Sequence, residues 1–294
     1  SSDLRRVGHF SCSDETVNRI FDMIVNSDRS NFYYFPTDCP HREKNGWTGD
    51  ASLSAPQMSL LLDTTESYLE WLRCVVAAQR ADGALPGIVP TSGWGFAWGN
   101  GPAWDSVLFN LPYTVWRLRG DTRAIAVTAD AMLRYLAYIR TRRSADGTVA
   151  IGLGDWVPVG KKPNRYDTPL VLTDSIMVTD MANKAAVMLA VIGRKKDAAI
   201  AAALRDEMLA SIRGVLLDKT AGRLANGTQT AQAMGLYYGI FLPEERRKAF
   251  GLLMTRIREN NGRFDCGFLG LHVLFHVLSE FGEGETAYRM ITGK

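Results

Sequence analysis

Three observations predict an all-α fold. Apolar residues recur at helical spacing along the chain, no segment alternates apolar and polar side chains between hairpin turns, and several glycines fall where helices would end. The first periodic stretch is Val17, Ile20, Phe21 and Ile24, with Ser13-Asp14 placed to cap it. Tyr68, Trp71, Leu72, Val75 and Val76 form the next clear stripe. Asp121 and Thr173 are the expected N-caps of two later helices, and Gly120, Gly193 and Gly282 the expected stops of the helices over 105–119, 174–193 and 268–281. The series Ala185, Met188, Leu189, Ile192 and the series Ala201, Leu204, Met208, Ile212, Val215 mark two long helices. Met234, Tyr237, Tyr238, Phe241 and then Phe250, Leu253, Met254, Ile257 mark two more, the second opened by Pro243-Glu244-Glu245 with the charges its dipole favours. Helices are therefore expected over about 14–28, 48–62, 65–80, 105–119, 121–141, 174–193, 196–215, 229–241, 244–259, 268–281 and 284–292.

Composition narrows the function. The 294 residues are 46% hydrophobic and 22% charged, with a net charge of +3, which suits a globular protein and gives nucleic acid no basic surface to grip. No apolar run approaches the ~18 residues of a membrane span. Ser1-Ser2-Asp3-Leu4-Arg5-Arg6 lacks the apolar region of a signal peptide, so a cytoplasmic and an exported location are both compatible with the sequence. Cys12, Cys39, Cys74 and Cys266 are too scattered for a disulfide scaffold and include no CxxC pair.

The connections alternate between short links and three long ones, 29–47, 81–104 and 142–172. Helical hairpins with long Gly- and Trp-rich loops on one side describe a toroid whose loops build a site on one face. The densest polar segment, Pro36 to Asp50, lies in the first long loop, after an aromatic run (Phe32, Tyr33, Tyr34, Phe35) expected to bury and anchor it. Asp38, Glu43 and Asp50 stand among Arg42, Lys44 and His41, a crowding that pushes carboxyl pKa values apart and lets one acid keep its proton. The structural alternative is a capped loop, with Thr48 or Asp50 capping the next helix and Asp38 bonding backbone amides.

Trp71 and Trp116 lie on helix faces and fit a core. Trp47, Trp94, Trp98, Trp104 and Trp156 all lie in loops, several beside Asp or Asn, as in Trp104-Asp105 and Asp155-Trp156. Indole faces stack on sugar rings while carboxylates accept hydroxyl hydrogen bonds, so the set suggests a carbohydrate pocket. His272 and His276 share one helix face, but no third ligand accompanies them, and no metal site is expected. Cys39 lies near His41, but the flanking Pro40 and Asp38 would not lower its pKa, and it reads as a buried thiol. Thr228 in Asn226-Gly227-Thr228-Gln229-Thr230 reads as a cap.

At these residues the chain resembles the catalytic domain of bacterial α-L-rhamnosidases of glycoside hydrolase family 78. The resemblance rests on Asp38-Cys39-Pro40-His41-Arg42-Glu43-Lys44-Asn45-Gly46-Trp47-Thr48-Gly49-Asp50. It is extended by Phe10 to Asp14, Pro102-Ala103-Trp104-Asp105, Gly154-Asp155-Trp156, Thr228 to Ala231 and Gly267-Phe268-Leu269-Gly270. It implies an (α/α)6 barrel, inverting hydrolysis of terminal α-L-rhamnosides, a carbohydrate as partner and no cofactor. Glu43 would be the general acid, with Asp38 and Asp50 binding rhamnose hydroxyls and tuning it. Arg42, Trp47, Trp104, Asp105, Asp155, Trp156 and His272 would line the pocket. Inversion needs a second carboxylate as base. The family's Trp-Glu segment for it has no counterpart here, and Glu280, Glu283 and Glu285 read as helix-end charges. The expectation is a single catalytic domain over 1–294, truncated before a twelfth helix, without flanking β-sandwich domains and with its base beyond residue 294. The alternatives are a non-catalytic sugar binder of the same fold and another (α/α)6 glycosidase.

Overall fold

The computed structural model describes residues 4–91, 93–162 and 164–293. It is helical throughout: α1 (Glu15–Ser30), α2 (Thr48–Leu61), α3 (Thr65–Ala78), a single turn α4 (Pro102–Asp105), α5 (Val107–Arg119), α6 (Arg123–Arg142), α7 (Leu170–Val191), α8 (Lys195–Val215), α9 (Gln229–Tyr237), α10 (Pro243–Glu259), α11 (Phe268–Glu280) and α12 (Gly284–Thr292). The eleven expected helices are present. The additions are α4 and a two-residue hairpin, β1 (Leu217–Asp218) with β2 (Arg223–Leu224). Both are too short for periodicity to register. Among the described residues no helix is long and apolar enough to cross a membrane.

Local chemistry sets most boundaries as expected. Asp14 accepts the amides of Thr16 and Val17, and Asp121 accepts that of Arg123. Gly120, Gly193 and Gly282 take positive φ at helix ends. Thr173 is a correction. It lies inside α7, which begins at Leu170, and its hydroxyl bonds back to the Leu170 carbonyl rather than capping the helix.

The chain divides into two compact units, Ser1–Thr141 with Met181–Ala203, and Arg142–Asp180 with Leu204–Lys294. In the first, α2 packs on α5. The small buried residues Gly49, Ala51, Ser52, Ala55 and Ser59 let α2 approach its neighbours closely. A buried polar relay runs through this layer: the Lys184 ammonium donates to Asn110 Oδ1 (2.7 Å), Asn110 Nδ2 to Ser52 Oγ (2.7 Å), and Ser52 shares a hydrogen bond with Ser106 (2.8 Å). Each group meets a partner, so burying it carries little of the usual penalty. In the second unit α9 packs between α10 and α11, and buried Gln232 ties it to β2 and α10 by accepting from the Leu224 amide and donating to the Gly222 and Ala249 carbonyls.

Candidate active site

The loop from Asn31 to Trp47 is held by its own backbone before any functional group is considered. Asp38 pairs with Asn45 twice: its amide donates to the Asn45 carbonyl (3.1 Å), and its Oδ1 accepts the Asn45 amide (2.9 Å). Lys44, at φ 56°, makes the reversal between them. Cys39 is half-buried rather than buried as expected, because its sulfur sits at the turn, where it accepts the Glu43 amide (3.2 Å). At the loop's end, Thr48 fastens the start of α2 by donating its amide (2.9 Å) and hydroxyl (3.0 Å) to the Gly87 carbonyl. The aromatic anchor is only half what was expected. Phe32 is buried against Tyr68 and Phe35 stacks on Trp71, but Tyr33 and Tyr34 point outward.

This clamp presents three carboxyl groups differently. Glu43 is exposed, and its Oε2 accepts the Trp47 indole N–H at 2.9 Å. Asp38 is committed to the loop through Asn45. Asp50, in the first turn of α2, is half-buried, and burial raises its pKa from 3.8 to about 7, with the charges of Asp38 and then Glu43 adding to the rise. Arg42 is exposed and makes no ion pair among the described residues. Asp38 and Glu43 are therefore near enough for their charges to act on Asp50, whose pKa of about 7 leaves it about half protonated at neutral pH.

Trp47 is 7% exposed and forms a three-indole cluster with Trp94 (ring centroids 5.4 Å apart) and Trp98 (5.7 Å). Gly99, at φ +81°, lies flat on the Trp47 ring, where an added Cβ would come within 2.5 Å of it. Trp104 and Asp105 are placed deeper than a sugar contact requires. Trp104 is buried with its ring against Gly49. Asp105, 1% exposed, accepts the Tyr135 hydroxyl (2.8 Å) and the Gly101 amide (3.0 Å) through Oδ2, and burial raises its pKa well above the usual carboxylate range. The pair fastens α4 to α6 and supports the loop from behind.

In the second unit the expected pocket residues also take other work. Asp155, 2% exposed, accepts four hydrogen bonds: Thr230 Oγ1 (2.6 Å) and the Gly267 amide (2.9 Å) on Oδ2, the Leu269 (2.9 Å) and Gly270 (3.0 Å) amides on Oδ1. It is the N-terminal cap of α11 supplied from a distant loop, and its acceptor sites are filled. The glycines of Gly267-Phe268-Leu269-Gly270 are explained by the same contact. A Cβ on Gly267 would lie 2.4 Å from the Trp156 carbonyl oxygen, and one on Gly270 2.2 Å from Thr230 Oγ1. The half-buried Trp156 offers its carbonyl to the Phe268 amide (2.9 Å) and precedes Val157, a β-branched residue at φ 51° whose strain this anchored loop sustains. Gln229 is buried and donates to the Arg263 carbonyl (3.0 Å), while Thr228 caps α9 as expected. His272 lies in the second turn of α11, its ring 6.5 Å from those of Tyr237 and His276. Among the described residues no group of three or more His, Cys, Asp or Glu could hold a metal ion.

The carboxyl-rich loop is visible in the sequence, but the partners that claim each acid are not. Tyr135 and Thr230 lie 30 and 75 residues from the aspartates they bond, and nothing in the local pattern signals such pairs.

A helical scaffold carrying a paired-carboxyl loop beside indole rings is the architecture of a six-hairpin glycosidase. A sequence model of the bacterial alpha-L-rhamnosidase 6 hairpin glycosidase domain matches residues 5–294, and the chain belongs to that family. Alpha-L-rhamnosidases of Formosa agariphila and Streptomyces avermitilis are 26% and 28% identical to it, over 99% and 96% of this chain. The chain spans 31% and 26% of the length of those two relatives. The crystal structure of the Streptomyces avermitilis alpha-L-rhamnosidase complexed with L-rhamnose superposes with a TM-score of 0.90 at 26% identity, over 98% of this chain and 27% of that one. That of the Dictyoglomus thermophilum alpha-L-rhamnosidase superposes with a TM-score of 0.92 at 23% identity, over 98% of this chain and 33% of that one.

Proposed function

We propose that the chain is the catalytic helical domain of an α-L-rhamnosidase, hydrolysing terminal α-L-rhamnosides by inversion with Glu43 as the general acid. The observation that carries the reading is the placement of Glu43. It is an exposed carboxyl, held by the Trp47 indole N–H, on a loop clamped at Asp38–Asn45 and at Thr48–Gly87. A general acid must reach the glycosidic oxygen from solvent yet keep a fixed direction, and both conditions are met there. Asp50, half protonated near pH 7, can donate to or accept from sugar hydroxyls, and Asp38 stands on the same loop as a further acceptor. Exposed Arg42 supplies a rigid donor fork on the same loop. Within the first unit, Trp104 and Asp105 support the loop from behind, and within the second, Asp155 caps α11. Trp156 and His272 remain candidates for sugar contact.

Inversion requires a base about 6.5–9.5 Å from the acid. Glu280 pairs with Arg246, Glu285 with Arg289, and Glu283 accepts the Thr286 hydroxyl, so none of these is assigned that role. The test is hydrolysis of nitrophenyl and alkyl α-L-rhamnosides, with the anomer of the first-formed rhamnose read by NMR. The β-anomer is expected first. Glu43→Gln should lose about 10²- to 10⁴-fold on the alkyl rhamnoside, whose leaving group needs the proton, and less on the nitrophenyl one. Full activity in Glu43→Gln, or initial release of the α-anomer, overturns the reading. A protein that binds L-rhamnose but turns over neither substrate would instead be a sugar-binding relative.

A further inference from the structure

The five loop tryptophans are not equivalent once folded. Trp47 and Trp104 are buried, while Trp94 keeps 47% of its surface exposed, although it packs against Trp47 (5.4 Å) and Trp98 (5.2 Å). An indole half in water leaves a large apolar face unsatisfied, and the two rings behind it fix that face in place. The flanking positions leave it open, because a Cβ on Gly93 or Gly95 would meet nothing within 4 Å. From its other side the cluster is tied to the acid: Trp47 stacks on Gly99 and donates to Glu43 Oε2 at 2.9 Å. One ring centroid separation of 5.4 Å therefore divides Trp94 from the residue that holds the acid.

We propose that Trp94 is the platform for the leaving group, and that it selects rhamnosides whose aglycone presents a planar aromatic ring. This rests on Glu43 being the acid. A general acid sits at the glycosidic oxygen, so a surface that continues outward from it meets either the rhamnose or the group being expelled. Rhamnose needs partners for its hydroxyls, and the 38–50 loop supplies them in Asp38, Arg42 and Asp50. The stretch Gly93-Trp94-Gly95-Phe96-Ala97-Trp98-Gly99 has no polar side chain except the two indole N–H groups. It suits a flat ring with few hydroxyls, which fits an aryl leaving group better than a second sugar. Phe96 extends the apolar character while carrying the Arg80 guanidinium 4.9 Å above its ring.

The test compares Trp94→Ala and Trp94→Phe with the unaltered protein on three α-L-rhamnosides, those of a polycyclic phenol, of methanol and of glucose. Binding of the free phenol is followed by calorimetry. Trp94→Ala should lower kcat/KM for the polycyclic rhamnoside about 5- to 10-fold, mostly through KM, and Trp94→Phe should restore most of it. The methyl and glucosyl rhamnosides and inhibition by free L-rhamnose should change by less than about 2-fold. An equal loss on all three substrates, or no loss on the polycyclic one, overturns the proposal. A selective loss on the glucosyl rhamnoside also overturns it, by making the platform a sugar subsite. If the unaltered protein hydrolyses none of them, the proposed activity falls and phenol binding decides the platform alone. Binding abolished by Trp94→Ala supports it, and binding absent or unaffected overturns it.

Discussion

Asp50 and Asp155 are both aspartates near a tryptophan in a glycine-containing segment, and they have opposite fates. Asp155 is almost wholly buried yet accepts four hydrogen bonds, three of them backbone amides at the start of α11. Asp50 is only half-buried, yet burial first and then the charges of Asp38 and Glu43 raise its pKa, against a backbone hydrogen bond that lowers it. Asp155 has its oxygens occupied by hydrogen-bond donors, whereas Asp50 is left with desolvation and like charge. A carboxyl group satisfied by the fold is structural. One left in tension by the fold holds free energy that a reaction can use.

Substitutions should separate the two regions, and the largest contrast lies between activity and stability. Glu43→Gln should cost about 10²- to 10⁴-fold in rate on alkyl rhamnosides while leaving the urea midpoint of unfolding within error. Asp155→Ala should do the reverse. Stranding three amides and the Thr230 hydroxyl should cost about 3–4 kcal/mol of stability, seen in the urea midpoint and in faster amide exchange at the start of α11. If Asp155→Ala is as stable as the parent protein and merely inactive, Asp155 is not the structural cap of α11.

A smaller effect should have the opposite sign. Asp50 ionises near 7 when folded and near 3.8 when unfolded, so folding takes up a proton between those values. Its contribution to stability is most favourable below about pH 4, declines as pH rises to 7, and is level above that. Asp50→Asn should therefore stabilise the protein by about 1–3 kcal/mol at pH 8 and by almost nothing at pH 4, while lowering activity. A stability gain that does not depend on pH would remove the charge tension as its cause. Asp28 provides the mildest comparison. It is buried in α1 with Gln57 donating to it, and burial raises its pKa to about 6. Asp28→Asn should give a gain of about 1 kcal/mol or less at pH 8, fading toward pH 4, with rhamnoside hydrolysis unchanged.

The helices were legible because their signals are local. Asp14, Gly120, Pro243 and Thr228 act on amides and carbonyls within four residues, and the stripes of α3, α8 and α10 need only 3.6-residue spacing. The start of α7 was misplaced because Thr173 suits a cap as well as it suits a helical hydroxyl bonded back to Leu170. The Pro36–Asp50 loop stood out as a candidate site because charge density beside Trp47 is visible in one dimension. The duties of Asp105 and Asp155 were not, since Tyr135, Gly267 and Gly270 reach them only after folding.

The sequence alone determined the all-α fold, most of the helix ends and the loop that carries the candidate acid. These follow from spacing and residue type, which no folding is needed to read. The tertiary structure alone decided which acids are saturated and which are strained, and which indoles are buried and which is left half in water. Hydrogen bonding and desolvation depend on what surrounds a group in space, and groups up to 115 residues away in the chain supply those surroundings.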